Sequence, residues 1–303
     1  MIGCDAHRLR GISTTRYNAS MSTLRPIITL LTDFGDQDEY VGAMKGVILG
    51  IVPDAQIVDV THQVKPQNIL QAASILDKTY RYFPAHTLHI VVVDPGVGSA
   101  RQPIALKATH GTFVAPDNGV LTHIRRQEPG SKAILLDRSE FWLPSPSNTS
   151  HGRDIFSPVG AHLAGGIAFD KMGSPLTAII MLPMPPLVIT TTSIKGEVIR
   201  IDHFGNALTN IAPLRWLDTH SLQFSGDDQP GSTDPIQIDI HKARITCGWH
   251  TVDAVHANYS QVPAGQALAL VGSSGELEVA ICQGNASDQL AIHVGSPVTL
   301  QFA

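Results

Sequence analysis

The sequence predicts two domains: an N-terminal α/β domain with a central, largely parallel sheet flanked by helices, then a C-terminal all-β barrel. Two stretches carry the expectation. Between residues 27 and 93, short β-branched runs alternate with helical stripes. Past the proline cluster Met181-Leu-Pro-Met-Pro-Pro186, helical periodicity nearly vanishes, and short apolar runs alternate with Gly, Asn, Asp and Ser turns. The domains are therefore placed at 26–186 and 187–303. Residues 1–25 read as a disordered extension, with Met21 an alternative start.

Taken in order, Ile27–Leu31 is a β-branched run ending in Thr32-Asp33-Phe34-Gly35. Tyr40–Ile51 has apolar residues at 41, 44, 47, 48 and 51, the stripe of a helix. Gln56–Val60 is a second strand, closing in Asp59-Val-Thr-His62. Pro66 suits a helix start, so Gln67–Phe83 is expected to be helical. Leu88–Val93 is a third strand and feeds Asp94. Strand, helix, strand, helix, strand predicts right-handed crossovers. Ile104–Lys107 and Thr112–Ala115 are further strands, the second running into the turn Pro116-Asp-Asn-Gly119. Phe156–Phe169 reads as a small-residue helix. In the second domain the strand-like runs are Glu197–Ile201, Ile236–Ile240, Ala267–Val271, Glu276–Ile281 and Pro297–Phe302.

Composition removes several function classes. A hydrophobic share of 43% against 16% charged residues describes a compact soluble chain. The net charge of −5, without any Lys/Arg cluster, argues against a nucleic-acid surface. No apolar run reaches transmembrane length, so no membrane partner is expected. Cys4, Cys247 and Cys282 form neither an even set nor a metal-ligand spacing, which predicts reduced thiols in a cytoplasmic protein. Dinucleotide, P-loop, nucleophile-elbow and HExxH motifs are all absent, and the 14 histidines are scattered, so no metal is expected.

Candidate chemistry lies on Val91-Val-Val-Asp94-Pro-Gly-Val-Gly98-Ser-Ala-Arg101, where a buried strand stops at an acid and a Pro-Gly turn follows. Ligands of open α/β sheets bind at strand carboxyl ends, which puts Asp94 at a crevice mouth with Arg101 able to fold back on it. An acid capping a turn beside an unrelated arginine is the other reading. Asp33, also at a strand end, suits a ribose diol or a helix N-cap. His151, in Ser150-His-Gly-Arg-Asp154, sits beside a glycine that permits close approach; it suits a structural role as well as a chemical one. In the β domain, Ile201-Asp-His-Phe-Gly-Asn206 gathers acid, aromatic and amide, a mixture suited to a polar ligand with a planar base. Val271-Gly-Ser273-Ser-Gly275 is a turn able to bind a carboxylate through backbone N–H groups.

Together, Thr32-Asp-Phe-Gly35, Asp59-Val-Thr-His62, Val93-Asp-Pro-Gly-Val-Gly98, Ala115-Pro-Asp-Asn-Gly119, His151-Gly-Arg-Asp154, Phe204-Gly-Asn206 and Ser273-Ser-Gly with Leu277-Glu-Val-Ala280 resemble the S-adenosyl-L-methionine hydroxide adenosyltransferases. These are adenosine-forming S-adenosylmethionine hydrolases related to fluorinase and chlorinase. The likeness runs in order from about residue 27 to the C-terminus.

The resemblance implies a homotrimer with sites at subunit interfaces, S-adenosylmethionine as substrate rather than cofactor, and adenosine and methionine as products. It places the catalytic set on Asp94, Arg101 and His151, with water attacking ribose C5′. Arg101 would favour hydroxide-like charge, and either Asp94 or His151 would take the proton. Asp33 would hold the ribose hydroxyls, and Asp202 and Ser273 the amino-acid end. Asn206 would meet the adenine edge, with Tyr259 and Phe204 at its face and Asn285 and Ala286 adding contacts. Two alternatives are a halogenase and a non-catalytic binding module. The halogenases carry an aromatic where Asp94 stands and a serine near Gly152. Glu276 departs from the aromatic or apolar residue common after Ser-Ser-Gly.

Overall fold

The computed structural model describes residues 25–226 and 235–302. Of the predicted N-terminal extension, residues 1–24 lie outside the described residues. Contacts divide the chain into two units. One holds residues up to Ala72 and Thr79–Ile180; the other holds Ala73–Lys78 and Met181 onward.

The first unit is built on a seven-stranded sheet of β1 (Ile27–Thr32), β2 (Gln56–Thr61), β3 (Leu88–Val92), β4 (Pro103–Ala108), β5 (Gly111–Pro116), β6 (Lys132–Leu135) and β7 (Ser174–Leu176), in the order β2-β1-β3-β5-β4-β6-β7. β1 and β3 are buried almost throughout, as strands covered on both faces must be. Three pairings, β1–β2, β1–β3 and β3–β5, are parallel. The other three, β4–β5, β4–β6 and β6–β7, are antiparallel. The sheet is thus mixed, not largely parallel. β4 and β5 are joined by only Thr109 and His110, and two residues can make a hairpin but not a crossover.

Helix α1 (Tyr40–Ile51) occupies the expected span and buries Val41, Met44 and Ile48. Helix α2 (Ile69–Thr79) begins two residues later than expected. Gln67 has φ +66°, outside the helical region, and the Asn68 side chain accepts from Gln71 N–H at 2.9 Å, capping the first turn. A single 3₁₀ turn, Tyr80–Tyr82, follows it. Helix α3 (Thr122–Gln127) follows the Pro116–Gly119 turn. The helix expected at Phe156–Phe169 is shorter: a π-helical turn (Gly152–Phe156) leads into α4 (Ser157–Ala164), which stops at Gly165-Gly166. Gly160 lets α4 approach β3; a Cβ there would lie 2.6 Å from Ile90 Cδ1. The core joins Ile28, Leu30, Met44, Ile48, Ile90 and Phe156.

His89 on β3 is wholly buried, takes a hydrogen bond with Thr29 Oγ1 at 2.8 Å, and stacks on Phe113. Burial lowers its pKa to about 4. The unfolded chain therefore binds a proton below about pH 6.5 that the folded chain refuses until about pH 4, so stability falls as pH drops through that window. The full effect is about 3 kcal/mol. Urea denaturation at pH 7 and pH 4.5 should show the loss, and His89→Gln should flatten the slope; an equal slope in the variant would rule the histidine out as its source.

The second unit carries β8 (Val188–Ile189), β9 (Ser193–Ile201), β10 (Ala207–Thr209), β11 (Leu214–Trp216), β12 (Ser221–Phe224) and β13 (Ile236–Asp239). After them come β14 (Arg244–Cys247), β15 (His250–Asp253), β16 (Val255–His256), β17 (Ala267–Val271), β18 (Leu277–Ile281), a one-turn helix α5 (Ala286–Gln289) and β19 (Pro297–Gln301). One sheet runs β15-β14-β19-β9-β10-β18-β17-β16 with β8 on β9, and β15 comes back into contact with β17, which makes it nearly closed and barrel-like. β11, β12 and β13 form a separate antiparallel ribbon. The apolar faces meet in a core that includes Ile194, Val198, Leu222, Phe224, Ile245 and Leu300.

Candidate active site

Asp94 leaves the carboxyl end of β3 and enters a tight loop. Val97 N–H returns to Asp94 O, and Gly98 takes φ +77°. A Cβ on Gly98 would stand 2.5 Å from the Asn148 carbonyl, so both backbone conformation and space demand glycine. The loop brings Arg101 back over the strand end. Arg101 Nε donates to Asp94 Oδ1 at 2.9 Å, and Nη2 donates to Asp94 Oδ2. The fork is bidentate and shielded: the two side chains are 7% and 5% exposed. The guanidinium also lies over the Phe156 ring, 5.3 Å from its centroid.

His151 enters from the π-helical turn, where an extra residue in the helical ladder re-aims a side chain. Ser157 Oγ donates to the Gly152 carbonyl at 2.7 Å and fastens that turn. His151 Nδ1 lies 2.6 Å from Arg101 Nη2. A guanidinium can only donate, so Nδ1 accepts and the neutral ring carries its proton on Nε2. Burial, reinforced by the positive charge of Arg101, holds the imidazole pKa below its ordinary value. Arg101 Nη1 is buried and has no partner among the described residues.

A cavity of about 270 Å³ opens on Asp94 and His151. One wall is the face of α1 that carries Tyr40, Ala43 and Met44, with Phe34 beside it. Asp33, by contrast, does not line this cavity. Its Oδ2 accepts from the Gln67 backbone at 2.7 Å, so the strand-end acid braces the chain where it takes positive φ. Asp59 and His62 are structural. Asp59 pairs with Lys45 at 2.6 Å and His62 at 3.1 Å, while His62 Nδ1 bonds Thr32 Oγ1 at 2.9 Å. Asn118 is a supporting residue that motif reading treated only as a turn: its Nδ2 donates to Val93 O at 2.8 Å and holds the backbone just before Asp94. Phe156, beneath the guanidinium, gave no signal beyond its apolar character.

In the second unit, Asp202 Oδ1 accepts from Phe204 N–H and Asn206 N–H, both at 2.9 Å, and Oδ2 from Asn206 Nδ2 at 3.0 Å. These bonds set the β9–β10 turn and leave the Phe204 ring 73% exposed. Gly205 packs against Asn285, whose side chain accepts from Asp288 N–H at 2.9 Å and caps α5. Ala286 is fully buried behind it. Tyr259 is half-exposed and donates to Glu278 Oε1 at 2.6 Å. Burial raises the Glu278 carboxyl, and the nearby charges of Asp202 and Glu276 add to the rise. Glu278 was legible only as part of the Leu277–Ala280 motif. Ser273 lies exposed on the β17–β18 turn.

A buried carboxylate and guanidinium, with a partly buried imidazole beside them, gather where a cavity opens on Asp94 and His151. The chain matches the SAM hydroxide adenosyltransferase N-terminal domain over residues 28–173 and its C-terminal domain over 196–299. It belongs to the SAM hydroxide adenosyltransferase family. A relative named (R)-S-adenosyl-L-methionine hydrolase, from Salinispora arenicola, is 36% identical across 89% of this chain and 95% of its own. The solved structure of an uncharacterised conserved protein from Thermotoga maritima superposes with a TM-score of 0.77 at 34% identity, covering 90% of this chain and 99% of that one. A fluorinase from Nocardia brasiliensis is 28% identical over 62% of this chain and 71% of its own.

Proposed function

We propose that the protein hydrolyses S-adenosylmethionine to adenosine and L-methionine, with the preference for the (R) configuration at sulfur that its relatives' names carry. The observation that supports this most is the Asp94 carboxylate at the cavity, forked to Arg101 with the His151 imidazole against the same guanidinium. Water in the cavity donates to Asp94, which turns a lone pair toward C5′. The guanidinium charge forked to that carboxylate stabilises negative charge as it develops on the oxygen. His151 Nδ1 is already engaged by the guanidinium, so the acceptor left in the set is Asp94, whose oxygens each keep a second lone-pair direction. The O–C5′ bond forms, the C5′–S bond breaks, methionine leaves as a neutral thioether, and the proton passes through Asp94 to solvent. No cofactor enters this reaction, because the sulfonium is already a good leaving group.

Gly152 favours water over halide here. A Cβ would lie 3.3 Å from both Met44 Sδ and Phe34 Cε2, so a serine hydroxyl for an anion could enter only by pushing them aside. Asp33 holds the ribose hydroxyls in this reading, while Asp202 and Ser273 take the amino-acid end. Asn206, Phe204, Tyr259, Asn285 and Ala286 take adenine. The protein works as a cytoplasmic homotrimer with sites at subunit interfaces.

Incubation with S-adenosylmethionine in ¹⁸O-water, with and without chloride, tests the reaction. Labelled adenosine unaffected by chloride is expected. A 5′-halo product would instead make it a halogenase, and tight adenosine binding without turnover would make it a binding module. Asp33→Ala should weaken adenosine binding about tenfold or more by calorimetry, the loss of one charged hydrogen-bonding partner; unchanged affinity would refute the ribose role.

A further inference from the structure

We propose that Asp154 is a positioning residue for this site: it fixes the loop that delivers His151 to Arg101 and supplies a negative charge that keeps the imidazole basic enough to accept from the guanidinium. The proposal rests on the hydrolase reading above, and the residue it adds acts through His151 rather than on the substrate.

Asp154 lies in the π-helical turn, three residues after His151, and is only 3% exposed. Residues three apart on a helical turn are neighbours on its surface. Oδ1 accepts from Arg153 Nε at 2.6 Å. Oδ2 accepts from Arg153 Nη2 at 3.0 Å and from the Ser147 N–H at 2.8 Å. The backbone of Asp154 holds the same loop at two further points: its N–H donates to Ser150 O, and Leu143 N–H donates to its carbonyl, both at 2.9 Å. The stretch 143–150 is thus tied to one residue through Leu143, Ser147 and Ser150. Asn148, whose carbonyl crowds Gly98, lies inside that stretch, and His151 follows it directly. The loop between Asp94 and Arg101 therefore abuts a segment that Asp154 holds.

The charge of Asp154 acts on the same imidazole. His151 Nδ1 must accept from Arg101, and a weaker base is a poorer acceptor. Burial and the charge of Arg101 both lower the His151 pKa; Asp94 and Asp154 oppose them. Glu39, Tyr40 and Arg153 line the same cavity. Burial works against ionising Asp154, yet the Arg153 fork and the Ser147 N–H hold its carboxyl below the ordinary value. Its charge is therefore present wherever an imidazole titrates. Arg153 is the accessible half of this pair, its side chain 43% exposed.

The test records the His151 titration by NMR on ¹⁵N-histidine-labelled protein, its signals identified by their loss in His151→Gln, together with kcat for adenosine release. Asp154→Asn keeps the volume and removes the charge. The His151 midpoint should fall by about half a pH unit or more. The loosened loop should lower kcat about tenfold or more. Arg153→Gln removes the counter-charge at an exposed position and leaves Asp154 its bond to Ser147. There the midpoint should rise, with a smaller loss of kcat. A residue that only held the fold together would lower kcat without moving the two midpoints in opposite directions. An unmoved midpoint in both variants, or an unchanged kcat in Asp154→Asn, overturns the proposal. Should Asp154→Asn fail to fold, Arg153→Gln decides alone, and a midpoint that stays or falls there overturns it. No adenosine from the unaltered protein overturns the hydrolase reading instead, because the titrations are read without turnover.

Discussion

Arg101→Ala should lower kcat about 10³-fold while the protein still binds S-adenosylmethionine. The guanidinium donates twice to Asp94 and once to His151 Nδ1, so it fixes the carboxylate and the imidazole together. Removing one donor aimed at a developing oxyanion typically costs 10²–10³ in rate, about 2.7–4 kcal/mol. Here the deletion also frees the imidazole tautomer, so the upper end of that range is expected. It carries a stability cost too, because the Asp94 carboxylate, only 5% exposed, loses its counter-charge. Breaking a buried pair this way costs about 3–5 kcal/mol. Stopped-time adenosine assays at saturating substrate, calorimetric binding and thermal unfolding together separate the effects. Parallel loss of binding and turnover in a folded variant would remove Arg101 from the chemical step.

Gly98→Ala should be nearly as damaging to turnover, although residue 98 donates nothing to the site. Its φ of +77° costs an L-residue about 1–2 kcal/mol. In addition, the methyl would stand 2.5 Å from the Asn148 carbonyl oxygen, a backbone atom with no rotamer to move. The loop between Asp94 and Arg101 must shift, and Asn148 lies three residues before His151. A displacement of about 1 Å in such a constellation lowers rate about 10²-fold. A kcat within a few-fold of the unaltered protein would show that the loop absorbs the methyl without moving Arg101.

Much of the fold was legible where one periodicity held over a whole element. The stripe of α1 and the β-branched runs of β1 and β3 are long, uniform and buried, so pattern and structure coincide. The direction of β4 to β7 was not legible from hydrophobicity, which says that a segment is a strand but not which way it runs. The two-residue link at Thr109-His110 held that information. The π-helical turn was invisible for a related reason: five residues are too few to show a change of period. At the site, chemistry-bearing residues stood out because acids and glycines at strand ends are conspicuous. Their supports did not. Asn118 reads as a turn residue, and Phe156 as one more core aromatic, until the fold puts them against Val93 and Arg101.

The seven-stranded sheet ends on both sides in strands poor at recruiting another. β7 is three residues long and has Pro175 at its centre, opposite Ile134, so it lacks one of the N–H groups a further strand would need. At the other margin, β2 places Gln56 and the charged Asp59 on exposed positions. A strand-bearing neighbour would meet a missing donor on one margin and the part-exposed Asp59–Lys45 ion pair on the other, and both discourage a sheet from growing. The sheet that carries Asp94 at its centre can therefore be concentrated without adding strands at its margins.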